Sequence, residues 1–400
     1  MELTANCNLA SKRKNYFGRT FSVFLALYPI LCMYKAFYKF TIGDVLLILF
    51  LLLSLRKKIS ISKQSIVVIM FGTVAVLELM FNLMFSSVTA EYSTVSLIFR
   101  LLKFVFYMLC VFMCGKTHFN ADIFCKTIVI VTITATLFLI VQYVMFYGTG
   151  KILLGRFPGL PLYLDEYSNI NYELVYSYNF RPCSFFLEPA SFCQYAVVAL
   201  VMTLFRNVTK ERELKTVSSA IIISIGILLT TAAQGILYLC LIYVVFAFKK
   251  IKNNIKTFAF IIALIAVALI CYYQINVVQI TVNRLLFNDT ASNARLGTYH
   301  YIFEMSDIAL FFGYGYGVTP NNEYLAGLAY IWYGCGLVGV LLSLGIFSTF
   351  YFNSHTSSAR LICFLFLVMF VGTALFYNYM LFWYFAIIIG LSNLPSKEFA

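Results

Sequence analysis

Charge is the scarcest commodity in this sequence. Asp, Glu, Lys and Arg make up 11% of its 400 residues, against about 25% in an ordinary soluble domain, so a freely soluble globular fold is excluded. Histidine is almost absent: of the three, His118 and His355 fall near basic segments and His300 stands apart. No histidine–carboxylate spacing suggests a metal, and none is expected. The eleven cysteines are scattered, mostly in apolar runs (Cys110, Cys114, Cys240, Cys271, Cys363). Their irregular spacing excludes a disulfide framework and a structural zinc site, and they read as small buried hydrophobes. A small-residue cleavage site is also lacking after the basic N-terminal stretch, so an uncleaved first span is expected instead of a signal peptide.

What is present in excess is apolar sequence: 62% of residues are hydrophobic and mean hydropathy is +0.88. A membrane helix needs about 20 mostly apolar residues. About twelve such runs occur, near 21–37, 40–55, 66–85, 94–114, 124–147 and 189–205. The remainder lie near 217–232, 235–248, 257–273, 324–350, 361–376 and 378–392. The expected architecture is an all-α polytopic membrane protein. The net charge of +13 carries topology, not a nucleic-acid footprint. When alternate segments are assigned to opposite sides, one side holds most of the Lys and Arg. The other holds only Lys35, Lys39, Lys151, Arg156, Arg181, Arg284 and Arg295. The positive-inside rule then places both termini in the cytoplasm.

Two long polar intervals remain on the outer side, 148–189 and 274–323. The first holds an aromatic and acidic run with Tyr167, Tyr172 and Tyr178. It closes on Arg181-Pro-Cys-Ser-Phe-Phe-Leu-Glu188-Pro189, with Pro189 suited to the first turn of the next helix. The second interval reads as an interfacial helix near 278–286, which carries Arg284. A further helix is expected over 295–312, bearing Arg295 and His300. The interval ends in Gly313-Tyr-Gly-Tyr-Gly317 and Asn321-Asn322-Glu323. A loop of this length without regular structure is more often functional than idle. Within the spans, Glu78 and Asn82 share one helical face, as do Arg100 and Lys103. These should turn inward, because charge at the bilayer centre costs about 2.5–3.5 kcal/mol. Two roles stay open for the basic pair: pairing with Glu78 or snorkelling, or holding an anionic headgroup.

The chemistry of the outer side is that of arginine and carboxylate. Arg181 and Arg295 are planar forks suited to bidentate phosphate. Glu188, or less directly Glu323, has the reach of a general base. Tyr167, Tyr172 and Tyr178 offer flat faces for sugar rings, although interfacial tyrosines are also common in membrane proteins for anchoring alone. The Gly-Tyr-Gly-Tyr-Gly run has the look of a potassium-channel filter, but no re-entrant pore helix within a two-span unit accompanies it.

Taken together, Arg181, Ser184, Glu188 and Pro189 resemble the Arg-x-x-Ser/Gly-x-x-x-Glu-Pro-like element of the Wzy-type O-antigen and capsular polysaccharide polymerases, relatives of the O-antigen ligases. Ser292-Asn-Ala-Arg295, Gly313–Gly317, Asn321-Asn322 and Tyr324-Leu325 are similar to that family's second loop, and Thr231-Ala-Ala-Gln-Gly235 to its Thr-x-Ser-Arg-Gly element. The resemblance covers roughly 125–350. It implies ten to fourteen spans, a range that the about twelve transmembrane helices expected from the apolar runs fit, with two large extracytoplasmic loops and a place in the bacterial inner membrane. It also implies a glycosyltransferase that moves a growing glycan from undecaprenyl pyrophosphate to a lipid-linked repeat unit. No cofactor is implied. Partners would be the lipid-linked oligosaccharide, the bilayer, and a chain-length regulator and flippase of the same pathway; nucleic acid is not among them. By the resemblance, Glu188, Arg181 and Arg295 are catalytic. Arg156, Tyr167, Tyr172, Tyr178, Arg284, His300, Asn321, Asn322 and Glu323 would contact substrate. Asn321 stands where ligases and many polymerases have histidine, and Gln234 where they have arginine; both departures shift the base role to Glu188. An O-antigen ligase, or a lipid-linked oligosaccharide flippase, is the alternative.

Overall fold

A computed structural model describes residues 2–55, 62–85, 94–115, 118–163, 180–205, 213–250, 297–320, 325–373 and 378–392. The chain begins with α1 (Glu2–Leu31), the hairpin β1 (Lys35–Phe37) and β2 (Phe40–Thr41), then α2 (Ile42–Ser54), α3 (Lys63–Phe85) and α4 (Thr94–Cys110). After α4 a π-helical turn spans Val111–Gly115. Next come α5 (Ala121–Thr149), α6 (Pro189–Leu204), α7 (Glu213–Leu229) and α8 (Ala233–Lys250). Short helices α9 (His300–Phe303) and α10 (Asp307–Phe312) precede α11 (Gly327–Phe352), α12 (Ser357–Gly372) and α13 (Tyr379–Ser392). Among the described residues, four helices are long and apolar enough to cross a membrane, and seven shorter apolar ones accompany them. The expected span at 257–273 lies outside the described residues.

Most of the helices are apolar on nearly every side; α6 and α13 are buried almost throughout, whereas in others burial selects one face. In α3, Val68, Phe71, Ala75, Glu78 and Asn82 recur at three- and four-residue spacing and are buried, while Ile66, Ile69, Met70, Leu77, Met80 and Phe81 are exposed. An apolar stripe this long facing away from the bundle is what a lipid phase covers.

The chain divides into two compact units, one of them Ser22–Leu46 with Ala121–Asn288 and Lys397–Ala400, the other Met1–Phe21, Leu47–Asn120 and Asp289–Ser396. In the former, α5, α6, α7 and α8 pack together. The apolar run expected to continue to residue 37 is helical only to Leu31. Pro29 removes a backbone donor near its end, and the chain turns into the β1–β2 hairpin. Thr41 and Asp44 then start α2 as a reciprocal cap: the Asp44 N–H donates to Thr41 Oγ1 at 3.0 Å and the Thr41 N–H to Asp44 Oδ2 at 3.2 Å. The Tyr28 hydroxyl donates to Asp44 Oδ1 at 3.2 Å, so this fully buried carboxylate is surrounded by donors.

In the other unit, α11 packs on α3, α10 and α12, and α13 on α12 and the π turn. Two expectations change here. The helix anticipated over 295–312 is interrupted: after α9 the chain breaks at Glu304–Ser306. Ser306 then caps α10, its hydroxyl accepting from the Ala309 N–H, a competition with helical hydrogen bonding that Ser is suited to win. Helix α11 is broken too, at Gly336 (φ 58°, ψ −166°). A Cβ there would lie 2.2 Å from the Phe311 carbonyl carbon and oxygen, so only glycine lets α10 approach this closely.

Candidate functional site

The stretch 181–189 is positioned by α5. Ser184 adopts φ +55°, a left-handed conformation uncommon for a residue with a side chain. Its N–H donates to Gln142 Oε1 at 2.9 Å and its hydroxyl to the Ala135 carbonyl at 2.7 Å. Gln142 Nε2 in turn donates to the Leu153 carbonyl at 2.8 Å. One side chain thus holds both ends of the α5–α6 connection. Phe180 stacks on Phe146 at 4.2 Å between ring centroids and Phe185 on Phe138 at 4.7 Å, while Phe186 packs against Phe192 and Tyr195. At Gly155 a Cβ would fall 1.7 Å from the Ser184 carbonyl oxygen. The two limbs of the loop therefore touch backbone to backbone, which only glycine permits.

On this base the charged residues collect. Pro189 opens α6, as expected, with Glu188 at its N-cap in an extended conformation; the Glu188 side chain makes no cap hydrogen bond. Its carboxylate stands at the positive end of the helix with its acceptor capacity uncommitted to the helix. Cys183 is partly exposed, yet burial first, and then the negative charge of Glu188, push its thiol up to about 12, with Arg156 pulling the opposite way. Arg156 and Glu188 are therefore both within electrostatic reach of one sulfur. Arg181 donates through Nη2 to the Thr231 carbonyl at 3.5 Å and lies within reach of Tyr143 and Cys193. Thr231 has φ +52° in the α7–α8 connection. That connection is tied down by Cys193 Sγ against Thr230 Oγ1 at 3.0 Å and by the Tyr143 hydroxyl donating to the Leu229 carbonyl at 2.6 Å. So Arg156, the Arg181–Glu188 stretch and the Thr230–Ala232 turn share one end of the α5–α8 bundle.

A family model for WcaD colanic acid polymerase matches residues 23–302. The chain belongs to that family. This is consistent with a Wzy-type polymerase, and with its apolar helices it makes the chain a membrane polymerase of polysaccharide repeat units. The match includes Arg156, Arg181 and Glu188 and stops short of α10 and α11. No curated protein matches the chain.

The remaining expected site residues of this polymerase are as follows. Arg295, Arg284, Tyr167, Tyr172, Tyr178, Asn321, Asn322 and Glu323 lie outside the described residues. His300 is exposed and its Nδ1 bonds the Gly297 carbonyl of its own turn, a local structural contact. Arg100 does not pair with Glu78: its Nη1 donates to the Gly317 carbonyl. With a guanidinium on one carbonyl and Asn82 Nδ2 on that of Gly313 at 3.4 Å, the glycine run is a docked turn and not a row of ion-coordinating oxygens. Among the described residues no group of three His, Cys, Asp or Glu is placed to hold a metal. Gln142 escaped the sequence reading, although a lone amide within an apolar run is the kind of residue that marks a polar contact inside a membrane bundle.

Proposed function

We propose that the polymerase transfers a growing glycan from undecaprenyl pyrophosphate to the terminal hydroxyl of a second lipid-linked repeat unit, at the outer face of a bacterial inner membrane. The observation that carries this reading is the grouping of Arg156, Arg181 and Glu188 on the Gln142-pinned loop. In the proposed step Glu188 takes the proton of the acceptor hydroxyl as its oxygen attacks the anomeric carbon. The bond from that carbon to the pyrophosphate oxygen breaks, and the electron pair leaves with undecaprenyl pyrophosphate. Charge grows on the departing oxygens, and Arg181 with Arg156 supplies fixed donors where it develops. Arg295 is proposed, from sequence alone, as a further donor. In-line attack with one base inverts the anomeric centre, by analogy with other glycosyl transfers.

The test is in vitro elongation of lipid-linked repeat units by purified protein. Glu188→Gln should slow elongation by about 10²–10⁴-fold, the usual worth of a general base. Arg181→Ala should slow it by about 10²–10³-fold, the usual worth of one preorganised donor. Normal ladder formation by both variants, at wild-type protein level, would refute the assignment. A ligase would instead transfer finished polymer to a different acceptor, and the same assay distinguishes it by the absence of a ladder.

A further inference from the structure

Among the described residues Glu78 differs from the other buried carboxylate, Asp44. Asp44 is surrounded by donors, whereas Glu78 is 7% exposed and both its carboxyl oxygens are buried without a hydrogen-bond partner of full geometry. The group they face is the Cys335 thiol, a weak donor that is itself buried. Cys335 is the residue immediately before the break at Gly336. The first half of α11 therefore ends at this carboxyl, and a helix C-terminus carries roughly half a negative charge. Two carbonyls of that end, Tyr333 and Gly334, are exposed by the break and accept from the Tyr314 and Gly315 N–H groups at 2.9 and 2.7 Å. Each carbonyl oxygen retains a second lone pair.

A carboxyl group, a helix C-terminus and unwound carbonyls all favour positive charge, and among the described residues no side-chain cation answers them. Of the elements packed on α3, α11 holds no Lys, Arg, Asp or Glu. Helix α4 has Arg100 and Lys103, of which Arg100 is bonded to the Gly317 carbonyl and Lys103 lies over the Phe99 ring at 6.0 Å. The glycine turn packed there adds only Tyr314 and Tyr316, the latter enclosed by Phe71, Phe104 and Tyr330. An ionised carboxylate left unpaired in an apolar interior is strongly disfavoured.

We infer that Glu78, at the broken end of α11, is a binding site for one monovalent cation, Na⁺ or a proton. Occupancy joins α3 to the half-helix end and to the 313–317 turn clamped by Asn82 and Arg100. The site is independent of the polymerase chemistry proposed above.

The experiment uses the full chain in nanodiscs. Its Tm is measured at pH 8 in NaCl against choline chloride at equal ionic strength, and in choline chloride from pH 8 down to pH 5.5. Stabilisation by NaCl that is absent well below the dissociation constant and then grows by roughly 2 °C for each tenfold rise in Na⁺ identifies sodium. Stabilisation by lower pH without a sodium effect identifies the proton. Either response should vanish in Glu78→Gln. Because that variant can fail to fold, the wild-type protein is also treated with dicyclohexylcarbodiimide, which adds to protonated carboxyls in apolar surroundings. Modification mapped to Glu78 should be suppressed by NaCl at fixed pH if sodium binds, and only by raised pH if the proton does. A Tm indifferent to both Na⁺ and pH, or a response unchanged in Glu78→Gln, would overturn the inference.

Discussion

Replacing Gly336 with alanine tests the broken helix directly. At φ 58° and ψ −166° a residue with a side chain is held in a region nearly reserved for glycine, at a cost of about 1–3 kcal/mol. The new Cβ would also meet the Phe311 carbonyl at 2.2 Å, and overpacking against backbone typically costs about 1–3 kcal/mol more. The combined loss is about 2–6 kcal/mol. Straightening the helix recovers about 1 kcal/mol of propensity, but only by withdrawing the Tyr333 and Gly334 carbonyls from Tyr314 and Gly315. Gly72, in the middle of α3, is the control: nothing lies within 4 Å of its Cβ position, and Gly72→Ala should stabilise by about 0.5–1 kcal/mol. Unfolding by SDS in mixed micelles reads both variants, and hydrogen exchange at the Tyr314 and Gly315 amides reads the docked turn. If Gly336→Ala unfolds within about 0.5 kcal/mol of wild type with those amides still protected, the break is not what seats the turn.

Gln142→Leu leaves the Ser184 N–H and the Leu153 carbonyl without their partner, about 1–3 kcal/mol for each unsatisfied group. It should lower both Tm and polymer yield; an unchanged Tm would mean that the loop is held by its phenylalanines alone. Cys183, with its thiol pushed up to about 12, stays protonated throughout the physiological range, and its thiolate fraction rises only as pH approaches that value. Maleimide labelling of Cys183 at pH 7.5, measured in a variant lacking the other cysteines, should be much slower than that of an ordinary exposed thiol. Glu188→Gln should speed it by removing the repelling charge. Rapid labelling in the parent would contradict the burial of the sulfur.

Several features of this protein are legible in one dimension. Hydropathy alone marks the apolar helices, because a run of apolar residues has no other stable home. Pro189 marks the start of α6 because its missing N–H is tolerated only in a first turn. The inward faces of Glu78 and Asn82 follow from their spacing and the cost of exposing them to lipid. The motif around Arg181 was enough to point to the polymerase family that the family match then showed.

Other features are invisible there. Apolar periodicity reads the same through Gly336 as through any glycine, and nothing local says that α10 presses its carbonyl against that position. Ser184 takes a left-handed conformation because Gln142, 42 residues earlier, holds its N–H; the preference of serine itself points elsewhere. The pairing of Lys35 with the Pro161 carbonyl and the placing of Arg156 and of the Thr231 carbonyl beside the Arg181–Glu188 stretch join segments whose separation hides them from any local pattern. The sequence by itself determined where most of the apolar helices lie among the described residues, and the family. Only the tertiary structure decided which of these two buried carboxylates is satisfied and which is not: Asp44 finds its partners at its own helix start and on α1 at Tyr28, within 16 residues, whereas the surroundings of Glu78 are set by a helix more than 250 residues away.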